Sequence, residues 1–282
     1  MSTPLDHLRA WIGRTESHHD TATAWPVAAM AATLDRPDTA PAAGTDIPLG
    51  WHWLWFLEAK AASELGPDGH PKRGGFLPPV PLPRRMWAGG RLEFLRPLRV
   101  GEPLRRDSEI VSVEPKQGKS GSLVFVTVRH LVHSAGELAV REEHDIVYRD
   151  LPRPGDPAPQ AKAAPAAAPW RREIAPDPVL LFRFSALTFN GHRIHYDLDY
   201  VRNEEHYPGL IVHGPLQTLL LLDLCRRNEA RPVRRLEYRA VHPVFHTERF
   251  TVNGMPAADG ATATLWTANG AGSYAMQGTA TF

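Results

Sequence analysis

The pattern of apolar and polar residues predicts short β-strands in both halves of the chain. Strand-favouring residues make up Val124–Val128 and Ile146–Tyr148 in the first half, and Phe250–Val252 and Ala263–Thr267 in the second. Glycines separate these segments in the manner of turns between neighbouring strands. We therefore expect an antiparallel sheet in each half.

Each half also contains one segment whose apolar density indicates a buried helix. In the second half it is Pro215–Arg227, where leucines cover nearly all sides and proline takes the first helical position. In the first half it is Trp51–Leu65, whose aromatic cluster we expect in the core rather than in a ligand cage. That cluster consists of Trp51, Trp53, Trp55 and Phe56. One buried helix followed by strands, found twice, predicts the α+β class.

Two short sequences recur in the same order in the two halves, which predicts a duplicated unit. Arg91–Phe94 is echoed by Arg235–Tyr238, and Ala135–Val140 is echoed by Ala271–Met276. Between the copies, Asp150–Pro178 is rich in proline and alanine, which predicts an extended linker without helix or strand. We expect an N-terminal domain at 1–150, a linker at 151–175 and a C-terminal domain at 176–282.

Composition and charge exclude several classes of function. The 282 residues include 32 Lys and Arg against 31 Asp and Glu, so the net charge of +1 does not favour nucleic acid or an anionic membrane. The one cysteine, Cys225, excludes an internal disulfide and a cysteine-based zinc site. Met1–Ala10 lacks the apolar stretch of a signal peptide, and Leu216–Leu224 is too short to span a bilayer. We expect a cytoplasmic protein without nucleic-acid or membrane partners.

Residues that carry chemistry are concentrated just before the second predicted helix. Phe184–Asp197 holds an asparagine and two histidines, and Gly209–Pro215 leads into the helix through a His-Gly pair. Together with the proline-rich run Gly75–Gly90, these sequences resemble the MaoC-like double hot-dog dehydratases. The resemblance extends over nearly the whole chain. It is strongest to the branch that contains hydroxyacyl-thioester dehydratase type 2, itaconyl-CoA hydratase and mesaconyl-CoA hydratase.

The resemblance implies two hot-dog domains, each a curved antiparallel sheet wrapped around one long helix, with the active site where they meet. The C-terminal domain would be catalytic, and the N-terminal domain would be degenerate and shape the substrate site. It also implies reversible hydration of an enoyl-CoA. The substrate would be a branched five-carbon dicarboxylyl thioester, itaconyl-CoA or mesaconyl-CoA, which gives citramalyl-CoA. The CoA belongs to the substrate, and no other cofactor is implied.

The family pattern has a catalytic Asp, an Asn two residues later and a catalytic His three residues after that. In this sequence those positions hold Asn190, His192 and His195. An amide is not a base, so Asn190 can only orient water or the thioester. His195 is of the residue type that titrates near neutrality and can take a proton from water and return it. The backbone N–H of Gly214, at the positive end of the helix, suits the enolate oxygen.

Other polar residues are candidates for substrate binding. Arg84 and Arg85 follow a stiff run of prolines and suit either a carboxylate or the phosphates of CoA, although a solvated surface pair is an equal alternative. Arg193, inside the catalytic stretch, also suits a carboxylate. Further candidates for contact with the thioester or the acyl group are His192, Tyr196 and His213.

Two features near His195 have simpler interpretations than catalysis. Asp197 and Asp199 are close enough in sequence to replace the missing family Asp, but solvation of the following loop is favoured. His192 and His195 form an H-x-x-H pair, yet no acidic or cysteine residue completes a metal-binding spacing. We therefore predict no metal site.

Three other functions remain open. A 3-hydroxyacyl-thioester dehydratase of fatty acid synthesis would have an apolar acyl tunnel without an arginine at its end. A hot-dog acyl-CoA thioesterase would need a carboxylate base, and a non-catalytic acyl-CoA-binding module would be consistent with loss of the family Asp. An acyl-CoA is the expected partner in each case, and assembly into a homo-oligomer is compatible with a duplicated chain.

Overall fold

The structure is a computed structural model, and it describes residues 5–118, 121–150 and 161–282. Within these residues the α-helices are α1 (Ala24–Thr33), α2 (Pro178–Leu187), α3 (Leu198–Asn203) and α4 (Gly214–Asn228). The strands are β1 (Thr15–Thr21), β2 (Arg84–Phe94), β3 (Pro103–Gly118), β4 (Gly121–Ser134), β5 (Glu137–Arg149), β6 (Trp170–Ile174), β7 (Arg235–Ala240), β8 (Phe250–Pro256), β9 (Thr262–Ala268) and β10 (Tyr274–Thr281). The four segments predicted as strands from the hydrophobic pattern all lie within strands.

The ten described strands form one antiparallel sheet in the order β1-β3-β4-β5-β2-β7-β10-β9-β8-β6. The first five strands in this order come from residues up to 150, which we call the front half. The last five come from residues after 160, which we call the back half. A large sheet with few helices confirms the predicted α+β class.

Strands β2 and β7 join the two halves, and they contain the repeated sequence. Leu92 pairs with Leu236, and both side chains are fully buried. The flanking pairs are Arg91 with Glu237 and Glu93 with Arg235. The two copies of the repeat are therefore antiparallel partners around these leucines, as expected when a duplicated unit pairs with itself. The division into two domains remains a prediction.

Helix α4 confirms the predicted leucine-rich helix. It begins one residue earlier and ends one residue later than predicted, and its leucines are at most 5% exposed. It packs against strands β6, β8 and β9 of the back half. Near its end, the buried carboxylate of Asp223 accepts hydrogen bonds from Arg36, Arg172 and Arg227. Because Arg36 belongs to the front half, this network ties the central helix to both halves.

The helix predicted at Trp51–Leu65 is wrong. The segment contains two short 3₁₀ turns, Trp51–Leu54 and Ala62–Glu64. Phe56 has a φ of +61°, which interrupts any right-handed helix. The N–H of Phe56 donates to Oδ2 of Asp20 at 2.8 Å, so a side chain takes the place of a helical carbonyl. In the described front half the α-helix is α1, which packs against α2.

The aromatic cluster of this segment is core, as expected. Trp51, Trp55 and Phe56 are all nearly buried. Trp53 is partly buried, and its Nε1 donates to the carboxylate of Glu142 at 3.1 Å. Aromatic side chains lose rotamer freedom in a helix. Here each ring is placed separately against the sheet.

The linker prediction is partly wrong. Residues 151–160, with their prolines, lie outside the described residues. Beyond them, Trp170–Ile174 forms strand β6, which pairs with β8 at the edge of the sheet. Pro178 begins helix α2, where the side chain of Asp177 caps the first turn. The prolines near these elements are compatible with them because they lie at element boundaries.

The buried apolar residues form two clusters. The larger one surrounds α4 and continues across the β2–β7 junction. The smaller one lies in the front half, where Leu8 and the proline-rich run with Val80 and Leu82 cover strands β3, β4 and β5. In the described part of the chain, no helix has the length and apolar content needed to cross a membrane.

Candidate active site

Helix α4 begins beside the strand that joins the two halves. His213 is its N-cap, and Gly214 is its first residue. A Cβ added to Gly214 would lie 3.4 Å from side-chain carbons of Trp87 on β2, so the helix start and the strand approach closely. The first N–H groups of a helix have no acceptor within it and form its positive end. Gly214 therefore remains a candidate donor to an enolate oxygen.

His195 is held with one ring nitrogen free. The residue is 7% exposed, and its Nδ1 lies 2.7 Å from the carbonyl oxygen of Ile211. A carbonyl only accepts, so Nδ1 carries the proton and Nε2 keeps a lone pair. Among the described residues, none bonds to Nε2. Burial lowers the pKa of His195 to about 4, so the ring is neutral at pH 7 and can act as a base.

His213 supports the ring of His195 from the protein side. The two rings stack with centroids 3.6 Å apart and planes 19° from parallel. His213 is fully buried, and its Nε2 lies 2.8 Å from Oγ of Ser185. The structure places His213 beneath the ring of His195, and its contact with substrate stays a prediction. Burial also holds its pKa well below the usual range, so no second charge opposes protonation of His195.

The side chain of Asn190 shapes the backbone of the catalytic stretch. Its side-chain oxygen accepts a hydrogen bond from the N–H of His192 at 3.0 Å, a local turn that orients the following residues. His192 is 8% exposed and its ring meets that of His195 edge-on, with centroids 5.5 Å apart. The carboxylate of the family pattern is therefore replaced by a turn-forming amide with a buried imidazole beside it.

A loop of the front half covers this stretch. The N–H of Arg193 donates to the carbonyl of Asp68 at 2.9 Å. Gly69 has a φ of +86°, and a Cβ there would lie 2.0 Å from the carbonyl oxygen of Gly191. Only glycine is compatible with both the conformation and the approach. Residues of the two halves thus meet next to His195, where the active site was expected.

The loop adds a carboxylate–imidazole pair to the site. Oδ2 of Asp68 lies 3.1 Å from Nδ1 of His70, and Oδ1 of Asp68 accepts from the backbone N–H of His70 at 3.0 Å. The rings of His70 and His192 have centroids 4.0 Å apart. Burial is the largest cause of a lowered pKa at His70, and neighbouring cations add to it.

Arg84 and Arg193 are engaged within the fold. Arg84 is 7% exposed, its Nε donates to Glu205 at 2.8 Å, and its guanidinium lies 4.7 Å from the ring of Tyr207. Arg193 donates through Nη2 to Asp197 at 2.7 Å. Paired guanidiniums of this kind are poorly placed to bind a substrate carboxylate.

Arg85 differs from its neighbour because adjacent residues of a strand face opposite sides of the sheet. No carboxylate of the described residues lies within 4.0 Å of Arg85, whereas Arg84 has one. After burial, the positive charge of Arg85 is a further cause of the lowered pKa of His70, His144 and His192. Of the three predicted arginines, Arg85 is the cation that lies among the imidazoles without an acidic partner.

The remaining predicted residues have local roles. Tyr196 is 50% exposed, and its hydroxyl donates to the carbonyl of Gly191 at 3.0 Å. Asp197 caps helix α3 by accepting from the N–H of Tyr200 at 2.9 Å, and this bond is the largest cause of its lowered pKa. Asp199 is exposed in the first turn of α3. The structure therefore places neither Asp beside His195 as an acid.

One cluster has the spacing of metal ligands. The ligand atoms of Asp68, His70 and His192 lie within 4.8 Å of one another, close enough to hold a divalent cation. In this structure the carboxylate of Asp68 instead accepts two hydrogen bonds from His70. The absence of a metal site remains a prediction.

A cavity of about 130 Å³ is lined in part by Trp87, whose side chain also approaches Gly214. It belongs to the front half and does not include His195. Its lining residues are His52, Trp53, Phe56, Trp87, Arg106, His130, Glu142 and His144. Nε of Arg106 and Nε2 of His144 are buried without a protein partner among the described residues. A polar cavity of this size has room for several water molecules that would satisfy them.

Sequence reasoning missed Asp68, His70 and the supporting role of His213. The front loop offers one signal, a D-x-H spacing within a Gly- and Pro-rich segment just before the Gly75–Gly90 run. Nothing in that spacing indicates that the loop packs on the catalytic stretch more than one hundred residues later. The contact is a consequence of tertiary structure.

Comparison with known proteins places the chain among thioester hydratases and dehydratases. The profile of the family "hydroxyacyl-thioester dehydratase type 2" matches residues 50–246, which include the front loop, His195 and Gly214. A mesaconyl-C(4)-CoA hydratase of Chloroflexus aurantiacus is 47% identical over 253 residues, which cover 89% of each chain.

Solved structures show the same fold at low sequence identity. A MaoC-like dehydratase from Phytophthora capsici has a TM-score of 0.69 and 13% identity, covering 99% of this chain and 98% of that one. A Mycobacterium tuberculosis protein with a double hot-dog fold has a TM-score of 0.54 and 15% identity, covering 96% of each chain. These likenesses confirm the predicted double hot-dog fold, except that the described front half lacks the long central helix.

Proposed function

Because the chain belongs to the hydroxyacyl-thioester dehydratase type 2 family and is thus an enoyl-thioester hydratase or dehydratase, we propose that it reversibly hydrates a dicarboxylyl enoyl-CoA. The preferred substrate is mesaconyl-CoA with the thioester at C4, and the product is citramalyl-CoA. The 47% identity to the Chloroflexus aurantiacus hydratase supports this substrate. Itaconyl-CoA is the second candidate, but its double bond is not conjugated with the thioester, which disfavours an enolate mechanism.

The proposal depends mainly on the position of Arg85 and on its lack of an acidic partner among the described residues. A mesaconyl group differs from a plain enoyl group by a carboxylate on the carbon that receives the hydroxyl. That carboxylate needs a cation beside the catalytic site. Arg85 shares a face of β2 with Trp87, which approaches Gly214, and no carboxylate of the described residues lies within 4.0 Å of Arg85. A guanidinium recognises a carboxylate through two parallel N–H donors.

The mechanism begins with His195. Its neutral ring takes a proton from water at Nε2, while Nδ1 stays bonded to Ile211. The water oxygen bonds to the β-carbon, and the electron pair of the double bond moves towards the thioester oxygen. The N–H of Gly214 and the positive end of α4 stabilise that oxygen.

The second half of the reaction returns the proton. The imidazolium of His195 protonates the α-carbon as the thioester carbonyl re-forms, so the ring ends neutral. Buried His213 beneath the ring stays uncharged and does not compete for the proton. The chain itself supplies the base, the acid and the anion stabiliser, so the scheme needs no cofactor beyond the CoA of the substrate.

The test compares substrates on wild type and one arginine variant. We expect wild type to hydrate mesaconyl-C4-CoA with a higher kcat/KM than crotonyl-CoA, which lacks the carboxylate. Arg85→Met should lower kcat/KM for mesaconyl-C4-CoA by about 10- to 100-fold, the effect of losing one charged hydrogen-bonding group, and leave crotonyl-CoA nearly unchanged. The matched control is Arg202→Met, which changes an exposed arginine bonded only to a backbone carbonyl.

Two outcomes would contradict the proposal. Preference of wild type for crotonyl-CoA or longer plain chains would indicate the fatty-acyl dehydratase alternative. Release of free CoA without hydration would indicate a thioesterase. Hydration is followed by loss of the enoyl-thioester absorbance, and CoA release by a thiol reagent, so the two are measured separately.

A further inference from the structure

The front half supplies a carboxylate–imidazole pair where the family pattern has lost its carboxylate. We propose that His70, positioned by Asp68, is a second catalytic imidazole that holds the attacking water together with His195. The proposal rests on the hydratase activity above but not on the identity of the acyl group. It makes His70 a catalytic residue and Asp68 a positioning residue.

The hydrogen bonds define the state of His70. Asp68 accepts at Oδ2 from Nδ1 of His70 and at Oδ1 from its backbone N–H. The carboxylate therefore fixes both the ring and its tautomer, with the proton on Nδ1 and a lone pair on Nε2. His195 has the same tautomer through its bond to Ile211. Both imidazoles thus have Nε2 as an acceptor.

The two imidazoles belong to one site. The ring of His70 lies 4.0 Å from that of His192, which lies 5.5 Å from that of His195. His192 thus contacts both rings and connects His70 of the front half with His195 of the back half.

The packing of the loop makes this placement obligatory. Gly69, between the two residues of the pair, has its α-carbon against the carbonyl of Gly191, where no larger residue fits. The N–H of Arg193 donates to the carbonyl of Asp68 at 2.9 Å. Both contacts lie within two residues of His70, so they hold its backbone beside the catalytic stretch.

The chemistry explains how the site functions with Asn190. A water molecule has two O–H bonds and can donate one to each Nε2, which directs an oxygen lone pair towards the β-carbon. His195 takes the proton that leaves, and His70 accepts the hydrogen bond that remains. The carboxylate of Asp68 stabilises the positive charge that forms nearby in the transition state, as a buried Asp does behind a catalytic imidazole.

The charges around His70 are mixed. The groups that face it are Asp68, Arg73, Arg85, His192 and His195. Burial, Arg85 and Arg73 favour the neutral ring, and Asp68 opposes them. His70 is therefore neutral at pH 7, as an acceptor of a hydrogen bond from water must be.

The experiment measures kcat and kcat/KM from about pH 3 to pH 8, a range that includes the lowered pKa of His195, for variants of His70 and Asp68. His70→Ala should lower kcat by about 100-fold or more, and His70→Gln, which retains an acceptor oxygen, should recover part of that loss. Asp68→Asn should lower kcat by about 10-fold and move the acid limb of kcat/KM to lower pH, because a charge that favours the imidazolium is removed. The matched controls are His19→Ala and Asp199→Asn, both exposed and outside the site.

The assay uses whichever enoyl-CoA wild type hydrates fastest, so failure of the mesaconyl proposal leaves this test intact. Activity of His70→Ala within about threefold of wild type would overturn the inference, as would an acid limb that Asp68→Asn does not move. Loss of wild-type activity after dialysis against a chelator, with recovery on adding Zn²⁺, would also overturn it and assign the cluster to a metal. Thermal unfolding of each variant separates loss of chemistry from loss of fold.

Discussion

Two histidine clusters, a back cluster around His195 and a front cluster at the cavity beside Trp87, differ in how their buried groups are bonded. On the back side, His195 stacks on His213 and keeps Nε2 free next to the start of α4. On the front side, His144 stacks on Trp87 with ring centroids 3.7 Å apart, at the wall of the 130 Å³ cavity. Both clusters are rich in neutral imidazoles, yet only the back one has the geometry of a proton-transfer site.

The difference lies in how a carboxylate is compensated. In the front cluster the carboxylate of Glu142 is 3% exposed and accepts from Nε2 of His52 at 2.9 Å and from Nε1 of Trp53 at 3.1 Å. Burial opposes its charge, but the hydrogen bond from His52 and the electrostatic attraction of His52 and the neighbouring imidazoles outweigh burial and lower the pKa of Glu142 to about 2. A carboxylate bound this firmly stabilises structure. An imidazole bonded at one nitrogen only can still exchange protons at the other.

The largest expected effect contrasts one histidine from each cluster. His195→Ala should lower kcat by about 10³-fold, the usual contribution of a general base, because no other group takes the proton from water. His130→Ala should leave the kcat of the folded enzyme within about threefold of wild type, since His130 bonds only to Ser108. Steady-state hydration assays measure both. Equal losses in the two variants would remove the distinction between the clusters.

The next effect is on stability and belongs to the front cluster. Glu142→Ala leaves the donors of His52 and Trp53 unpaired in the interior and should lower the free energy of unfolding by about 3 kcal/mol. Glu137→Ala is the control, because Glu137 is 75% exposed and should cost at most about 1 kcal/mol. Urea unfolding at pH 7 measures both changes. Similar values for the two would contradict a structural role for Glu142.

The pH dependence of stability joins the two clusters. Burial lowers the pKa to about 4 for His195 and His144 and to about 3 for His130, against about 6.5 in an unfolded chain. Between pH 6.5 and 4 the unfolded state therefore binds more protons, so the free energy of unfolding falls as the pH falls. Each group contributes a slope of up to about 1.4 kcal/mol per pH unit. His130→Gln should make the slope shallower in urea unfolding at pH 7, 6 and 5, and an unchanged slope would refute the assignment.

The smallest expected effect concerns Trp87, which lines the front cavity and approaches the start of α4. Trp87→Ala would connect the cavity of about 130 Å³ with the start of α4. The ratio of kcat/KM for a six-carbon enoyl-CoA to that for crotonyl-CoA should rise about fivefold, less than the full value of two buried methylenes because the cavity is polar. Trp87→Phe, which retains most of the wall, should change the ratio less. If Trp87→Ala leaves the ratio at the wild-type value, the cavity is not accessible from the substrate site.

Residues close together in sequence explain which parts of the fold could be predicted. Leucines on all sides of 216–224, preceded by Gly214 and Pro215, determine a buried helix whatever surrounds it. The helix predicted at Trp51–Leu65 failed because its aromatic side chains have partners elsewhere. Asp20 accepts a hydrogen bond from the backbone N–H of Phe56, and Glu142 accepts one from the indole N–H of Trp53. Aromatic density predicts burial, but the backbone conformation depends on those distant acceptors.

The sequence by itself determined four of the strands, the central helix and the proximity of His195 to Gly214, because these depend on neighbours within about twenty residues. Only the tertiary structure decided which arginine lacks an acidic partner among the described residues. Glu205 neutralises Arg84 and not Arg85, although the two arginines are adjacent in the chain. It also brought Asp68 and His70 to the catalytic stretch through the contact of Gly69 with Gly191. Charge pairing and close packing act between atoms that meet in space, and a linear pattern carries no record of which distant residues will meet.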